Sequence, residues 1–89
     1  EAQIKAAIDQ TVEPFGSLDI LINNAGMQHV APIEEFPTEK YALLIQIMLV
    51  APFIATKHAF PIMKKQGFGR IINMASINGL VGFAGKAAY

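Results

Sequence analysis

Two short runs of branched apolar residues flank one long apolar segment, and nothing else in the chain constrains its fold as strongly. The first run is Leu18-Asp19-Ile20-Leu21-Ile22, bounded by Gly16-Ser17 and Asn23-Asn24-Ala25-Gly26, and the second is Arg70-Ile71-Ile72-Asn73-Met74-Ala75. Both read as strands, and the largely continuous apolarity of the first suits a parallel strand covered on both faces. Between them, after Pro32 and a single turn near Glu34-Glu35-Phe36, Thr38 is placed to cap a helix running to about Gln66, where Gly67 supplies the stop. Strands separated by so long a helix cannot form a hairpin and are joined as a parallel βαβ crossover. Ahead of them, Ile4, Ile8 and Val12 with Ala7 make a one-sided helical stripe, limited by Pro14 and Gly16. The order helix, strand, helix, strand predicts an α/β fold. Two strands do not make a sheet, since five or six are typical, so the remainder is expected from other sequence or from a partner chain.

Composition points the same way. Of the 89 residues, 53% are hydrophobic and 16% charged, with a mean hydropathy of +0.38, against roughly 45–50% and 25% in an ordinary soluble domain. A small self-sufficient domain, which buries only about 60–65% of its unfolded surface, should be more polar than average. The chain is therefore expected to be a piece of a larger protein. Seven basic residues balance seven acidic ones, which removes the electrostatic footprint of a nucleic-acid binder. The absence of Cys excludes disulfides, zinc-thiolate sites and a cysteine nucleophile, and fits an intracellular protein. The opening residues lack a signal-peptide pattern, and a cytoplasmic location is expected. The apolar run Tyr41 to Ala55 is interrupted by Gln46 and Pro52 and falls short of the ~18–20 residues of a membrane span, so it reads as buried in protein.

The charges are segregated: residues 1–39 carry net −6 and residues 40–89 net +6. Helix electrostatics accounts for most of this. Glu34, Glu35 and Glu39 precede or open the long helix, while Lys57, Lys64 and Lys65 lie toward its end, as its dipole prefers.

At the end of the first strand stands Asn23-Asn24-Ala25-Gly26; at the end of the second stands Ser76, with Tyr89 thirteen residues later. Taken singly these have plain readings: a turn, a loop-capping hydroxyl and an aromatic packed on a neighbour. Together with the crossover helix, they resemble the short-chain dehydrogenase/reductase family over all 89 residues. The stretches 22–37 (INNAGMQHVAPIEEFP) and 61–76 (PIMKKQGFGRIINMAS) are most similar to the branch of that family acting on 3-hydroxybutyrate. Open parallel sheets bind ligands outside the carboxyl ends of their strands, where both motifs fall.

The resemblance implies a doubly wound, Rossmann-like parallel sheet, of which residues 1–89 are the central part of a single domain. The family's Gly-rich phosphate turn and the Lys four residues after the tyrosine fall outside them. It implies hydride transfer between NAD, with NADP as the alternative, and a small secondary alcohol, most closely the oxidation of (R)-3-hydroxybutyrate to acetoacetate. Asn24, Ala25, Gly26 and Ile47 would line the cofactor side, Ser76 would hydrogen-bond the substrate oxygen, and Tyr89 would carry the proton. A phenol is a poor base near neutrality and needs cationic neighbours for that work. Gln28 and Lys86 match substrate-binding positions, whereas Asn78 stands where that branch commonly has His, an exchange that keeps a donor and loses a charge. Lys86 is the natural counter-charge for a small hydroxy acid; the plain alternative is a solvated loop residue. His29 reads as structural and His58 as a helix-surface residue, and neither has the companions of a metal site.

One position departs from the family. An Asn that supports a water in the proton relay is replaced by Met48, whose thioether holds water poorly. Pro52 lacks the N–H that would bond the carbonyl of Met48, so a main-chain acceptor is expected to be free for that water. The other reading is that Pro52 merely bends the helix and Met48 fills core space. The long helix is apolar nearly all round, more than one sheet face can cover. A homo-oligomer through residues 39–66, a dimer of dimers by family resemblance, is expected. Two alternatives stay open: a reductase of the same family acting on a 3-oxoacyl thioester, and a catalytically silent oligomerisation or binding module.

Overall fold

A computed structural model describes residues 1–89. Helix α1 spans Ala2–Phe15, strand β1 Ile20–Asn23, helix α2 Thr38–Ile45, helix α3 Ala51–Gln66 and strand β2 Arg70–Asn73. Short 3-10 turns lie at Ile33–Glu35 and Ile77–Gly79. The two strands pair in parallel with Ile20 opposite Arg70 and Asn23 opposite Asn73, as the crossover requires. Thr38–Gln66 is long and apolar enough by composition to cross a membrane, its most apolar window averaging a hydropathy of 1.6. Here both of its flanks return to the same side-by-side pair of strands, so it is the crossover helix of a βαβ unit.

Helix α1 runs through Pro14 to Phe15 and stops at Gly16, within the limit expected from that pair. Three local readings change. Thr38 makes no capping bond; it is the first helical residue, and the carbonyl of Pro37 accepts the Tyr41 N–H at 3.0 Å. The crossover helix is not uniform: Gln46–Val50 is a π segment, with Ala51 N–H bonding the carbonyl of Gln46 five residues back. The strands are shorter than expected, both ending in Asn, so Met74, Ala75 and Ser76 belong to the loop above β2.

Seven residues are buried, all apolar. Ile8, Leu18, Ala59 and Met63 form the main cluster, with Ile4, Val12, Leu21, Ile62 and Ile71 packed against it. The α1 stripe thus meets the inner face of α3 and one face of the sheet. The other face carries Ile20, Ile22 and Ile72, which no element of residues 1–89 covers. Gln66 completes the packing. Its carboxamide accepts the Leu18 N–H at 2.8 Å and donates to the Leu18 and Phe68 carbonyls at 3.0 and 3.1 Å, pairing backbone groups that the strand's entry leaves free. At Gly69 any Cβ would overlap the buried Met63 side chain, so the turn into β2 can approach α3 this closely only with glycine.

His58 is not a free surface residue. Its Nε2 lies 2.8 Å from Glu1 Oε2, which also accepts from Lys57 Nζ at 3.2 Å. The His58 hydrogen bond, then the Lys57 hydrogen bond and charge, hold the Glu1 carboxyl below the usual carboxylate range. The cluster ties the start of α1 to the middle of α3.

Candidate active site

Both strands end in Asn at the same register position, and the side chains meet: Asn23 Nδ2 donates to Asn73 Oδ1 at 2.7 Å. This pair marks the floor of a cleft of about 880 Å³ at the carboxyl ends of the strands, a size ordinary for a small-molecule or cofactor site. Asn23 through Gln28 line it from the first loop, Asn73 through Ser76 from the second, Met48, Leu49, Pro52, Phe53 and Thr56 from the crossover helix, and Tyr89 from the carboxyl-terminal loop. Segments far apart in sequence therefore converge where an open parallel sheet binds its ligand.

The structure brings together Asn24, Ala25, Gly26, Gln28, Met48, Ser76 and Tyr89. It separates three others from this cleft. Ile47 lines a neighbouring depression of about 180 Å³ with Asn24, Ala25 and Pro52. Asn78 lies behind Ser76: its backbone N–H donates to Ser76 Oγ at 3.2 Å, so the 3-10 turn and the serine position each other. Lys86 is outside the lining and meets it through Tyr89, its Nζ 5.3 Å from the Tyr89 ring centroid and 4.6 Å from that of Phe83. Asn73 was missed as a site residue, although its match to Asn23 at the other strand end was visible in the sequence.

The serine does both things its position allows. A hydroxyl has one hydrogen to donate and two lone pairs. Accepting the Asn78 N–H occupies a lone pair and leaves the hydrogen free to be donated to an oxygen in the cleft. On the helix side, a Cβ on Gly26 would lie 3.8 Å from Met48 Sδ, so the Met48 side chain faces the Asn-Asn-Ala-Gly loop. The π segment ends two residues before Pro52, whose missing N–H leaves a gap in the main-chain ladder there; single-turn π segments inside α-helices are frequent at functional sites. His29 packs edge-on against Phe36 with centroids 5.4 Å apart, and Phe36 against Tyr41 at 6.4 Å; this stack anchors the loop that carries Gln28 to the start of α2. No cluster of His, Cys, Asp and Glu is arranged to hold a metal ion.

The residues fit a nicotinamide cofactor. The exposed Asn24-Ala25-Gly26 segment offers an amide and backbone groups at the sheet's carboxyl edge, and Met48, Pro52, Phe53 and Met74 give the cleft an apolar wall.

Comparison with known proteins agrees with this geometry. The family model for short chain dehydrogenase matches residues 1–89. An uncharacterized oxidoreductase, YxjF, of Bacillus subtilis is 67% identical over 89 residues, covering all of this chain and 35% of that protein. D-beta-hydroxybutyrate dehydrogenase of Cupriavidus necator is 49% identical over 88 residues, covering 99% of this chain and 34% of its own length. A crystal structure of NAD+-bound xylitol dehydrogenase superposes with a TM-score of 0.91 at 36% identity, over 97% of this chain and 34% of that one. The chain thus spans about a third of the length of the relatives it matches, and its two parallel strands and crossover helix are part of their doubly wound Rossmann fold. With its whole length matched by the family model and its loops converging on one cleft, the chain belongs to the short-chain dehydrogenase family of NAD(P)-dependent oxidoreductases.

Proposed function

We propose that the complete protein oxidises (R)-3-hydroxybutyrate to acetoacetate with NAD, in the cytoplasm where that cofactor is held. One observation carries the reading: Ser76, Tyr89 and Gln28 share a cleft with the Asn24-Ala25-Gly26 loop, and the only cation beside the Tyr89 ring is Lys86. A donor and a proton carrier in a cofactor cleft, with a counter-charge beside the carrier's ring, suit a small hydroxy acid.

In this reading Ser76 donates its free hydrogen to the substrate oxygen, and Tyr89 takes the hydroxyl proton. Asn24, Ala25 and Gly26, with Ile47 behind them, hold the ribose side of the cofactor. When bound, the nicotinamide supplies the hydride acceptor. Lys86 meets the carboxylate, and Gln28 adds a neutral donor. Asn78 contributes mainly by fixing Ser76 through its backbone. The Met48 carbonyl, freed by Pro52, accepts from the water that links the tyrosine to solvent, replacing an amide that a thioether cannot imitate.

Identity to a hydroxybutyrate dehydrogenase supports the acid substrate. The exposed Tyr41 and Phe60 of the crossover helix, outside the cleft lining, support a homo-oligomer built through residues 39–66, a dimer of dimers in this reading. Assay of the complete protein with free 3-hydroxybutyrate and with a 3-oxoacyl thioester, each with NAD(H) and NADP(H), tests the substrate. Turnover of the free acid with NAD is expected. Turnover of the thioester alone would make the protein a reductase of the same family, and no turnover of either would favour a silent binding module.

A further inference from the structure

We propose that Phe83 is a positioning residue that sets acid specificity: its ring holds the Lys86 ammonium against Tyr89, so that the counter-charge stands beside the proton-carrying phenol. This rests on the reading of Lys86 as the carboxylate's partner and adds the device that places it.

The backbone makes the contact. Phe83-Ala84-Gly85-Lys86 is a turn closed by Lys86 N–H donating to the Phe83 carbonyl at 3.3 Å. Its third residue, Gly85, has φ +81°, the left-handed value that a type II turn demands there. A turn of this kind brings its first and fourth residues together, and here they are an aromatic ring and an ammonium, 4.6 Å from Nζ to the ring centroid. That is within the distance at which a cation is drawn to a ring face. The same Nζ is 5.3 Å from the Tyr89 ring, so the ammonium is shared between two rings.

The turn itself is fixed. The Gly85 carbonyl accepts the Ala31 N–H at 2.9 Å, and a Cβ on Gly85 would come within 3.0 Å of the Val30 side chain. Val30 and Ala31 lie two and three residues after Gln28, so one seam locks the turn that carries Lys86 to the loop that carries Gln28. A lysine in open solvent would spread over many rotamers, and a substrate would have to order it. Held between Phe83 and Tyr89, the ammonium is already placed for an acid group that lies close along the chain to the carbinol carbon.

Two measurements on the complete protein with NAD bound test this. The first is the proton resonance of the Lys86 ε-methylene. It should be shifted upfield by the rings in the wild type and return to the ordinary lysine position in Phe83→Leu; an ordinary position in the wild type overturns the proposal. The second is the ratio of kcat/KM for 3-hydroxybutyrate to that for 2-butanol. An exposed cation–ring contact is modest, so Phe83→Leu should lower this ratio about two- to five-fold, through KM of the acid more than through kcat, while Phe83→Trp should retain it. If Lys86→Ala lowers the ratio and Phe83→Leu does not, the acid reading stands and the role of Phe83 falls. If Lys86→Ala leaves the ratio unchanged, the acid reading itself fails, and the specificity role with it.

Discussion

The Asn78 backbone N–H donates to Ser76 Oγ at 3.2 Å, so the residue that caps the 3-10 turn after β2 is the same one that lines the cleft. Structural and chemical uses of the serine are not alternatives. The cap fixes the oxygen and leaves the hydrogen available for the proposed role of substrate donor.

Ser76→Ala should therefore lower kcat far more than it raises KM, by about 100- to 1,000-fold, the range for removing one donor aimed at developing charge. Ser76→Thr should retain the cap and part of the activity. Steady-state kinetics of both variants checks this; a pure rise in KM for Ser76→Ala would contradict the donor role.

Pro52→Ala should lower turnover. Alanine restores an N–H that can bond the Met48 carbonyl and withdraw it from the relay water. The comparison is kcat for the variant and the wild type across neutral pH, and an unchanged kcat would leave Pro52 with only a structural part.

Glu1 carries a pH-dependent share of stability. Its carboxyl is held below the usual range by His58 first and Lys57 second. A depressed carboxyl stabilises the fold above its unfolded pKa of 4.5, and that share is lost as pH falls through the lower folded value. Glu1→Gln in the complete protein should be less stable than the wild type at neutral pH, with the gap closing on acidification below 4.5. Denaturant titrations at several pH values measure the gap, and a gap independent of pH would contradict the ion-pair origin.

The fold was legible wherever local signals and periodicity agreed. The branched runs gave β1 and β2, Ile4, Ile8 and Val12 gave the inner face of α1, and Gly67 gave the end of α3. Pro37 was not legible as the cap of α2, because Thr38 has the side chain of a cap while the carbonyl that accepts the first helical bond belongs to its neighbour. The π segment was half legible. Pro52 marked a missing donor in the helix ladder but did not show that the helix would widen from Gln46 to Val50. In the site, the strand ends fixed Asn24, Gly26 and Ser76, because topology alone brings them together. Lys86 beside Phe83, and His58 on Glu1, depend on side chains meeting across a turn or between helices, which neither period nor motif encodes.

The central claim is that Tyr89 carries the proton in a cleft that holds the cofactor through other residues. Tyr89→Phe in the complete protein, assayed with 3-hydroxybutyrate and titrated separately with NAD, tests it most directly. The phenol oxygen moves a proton and is not needed to hold the nucleotide. Near-complete loss of turnover with NAD affinity within about two-fold of the wild type, a change of less than half a kcal/mol, is the expected result. Turnover like that of the wild type would contradict the account.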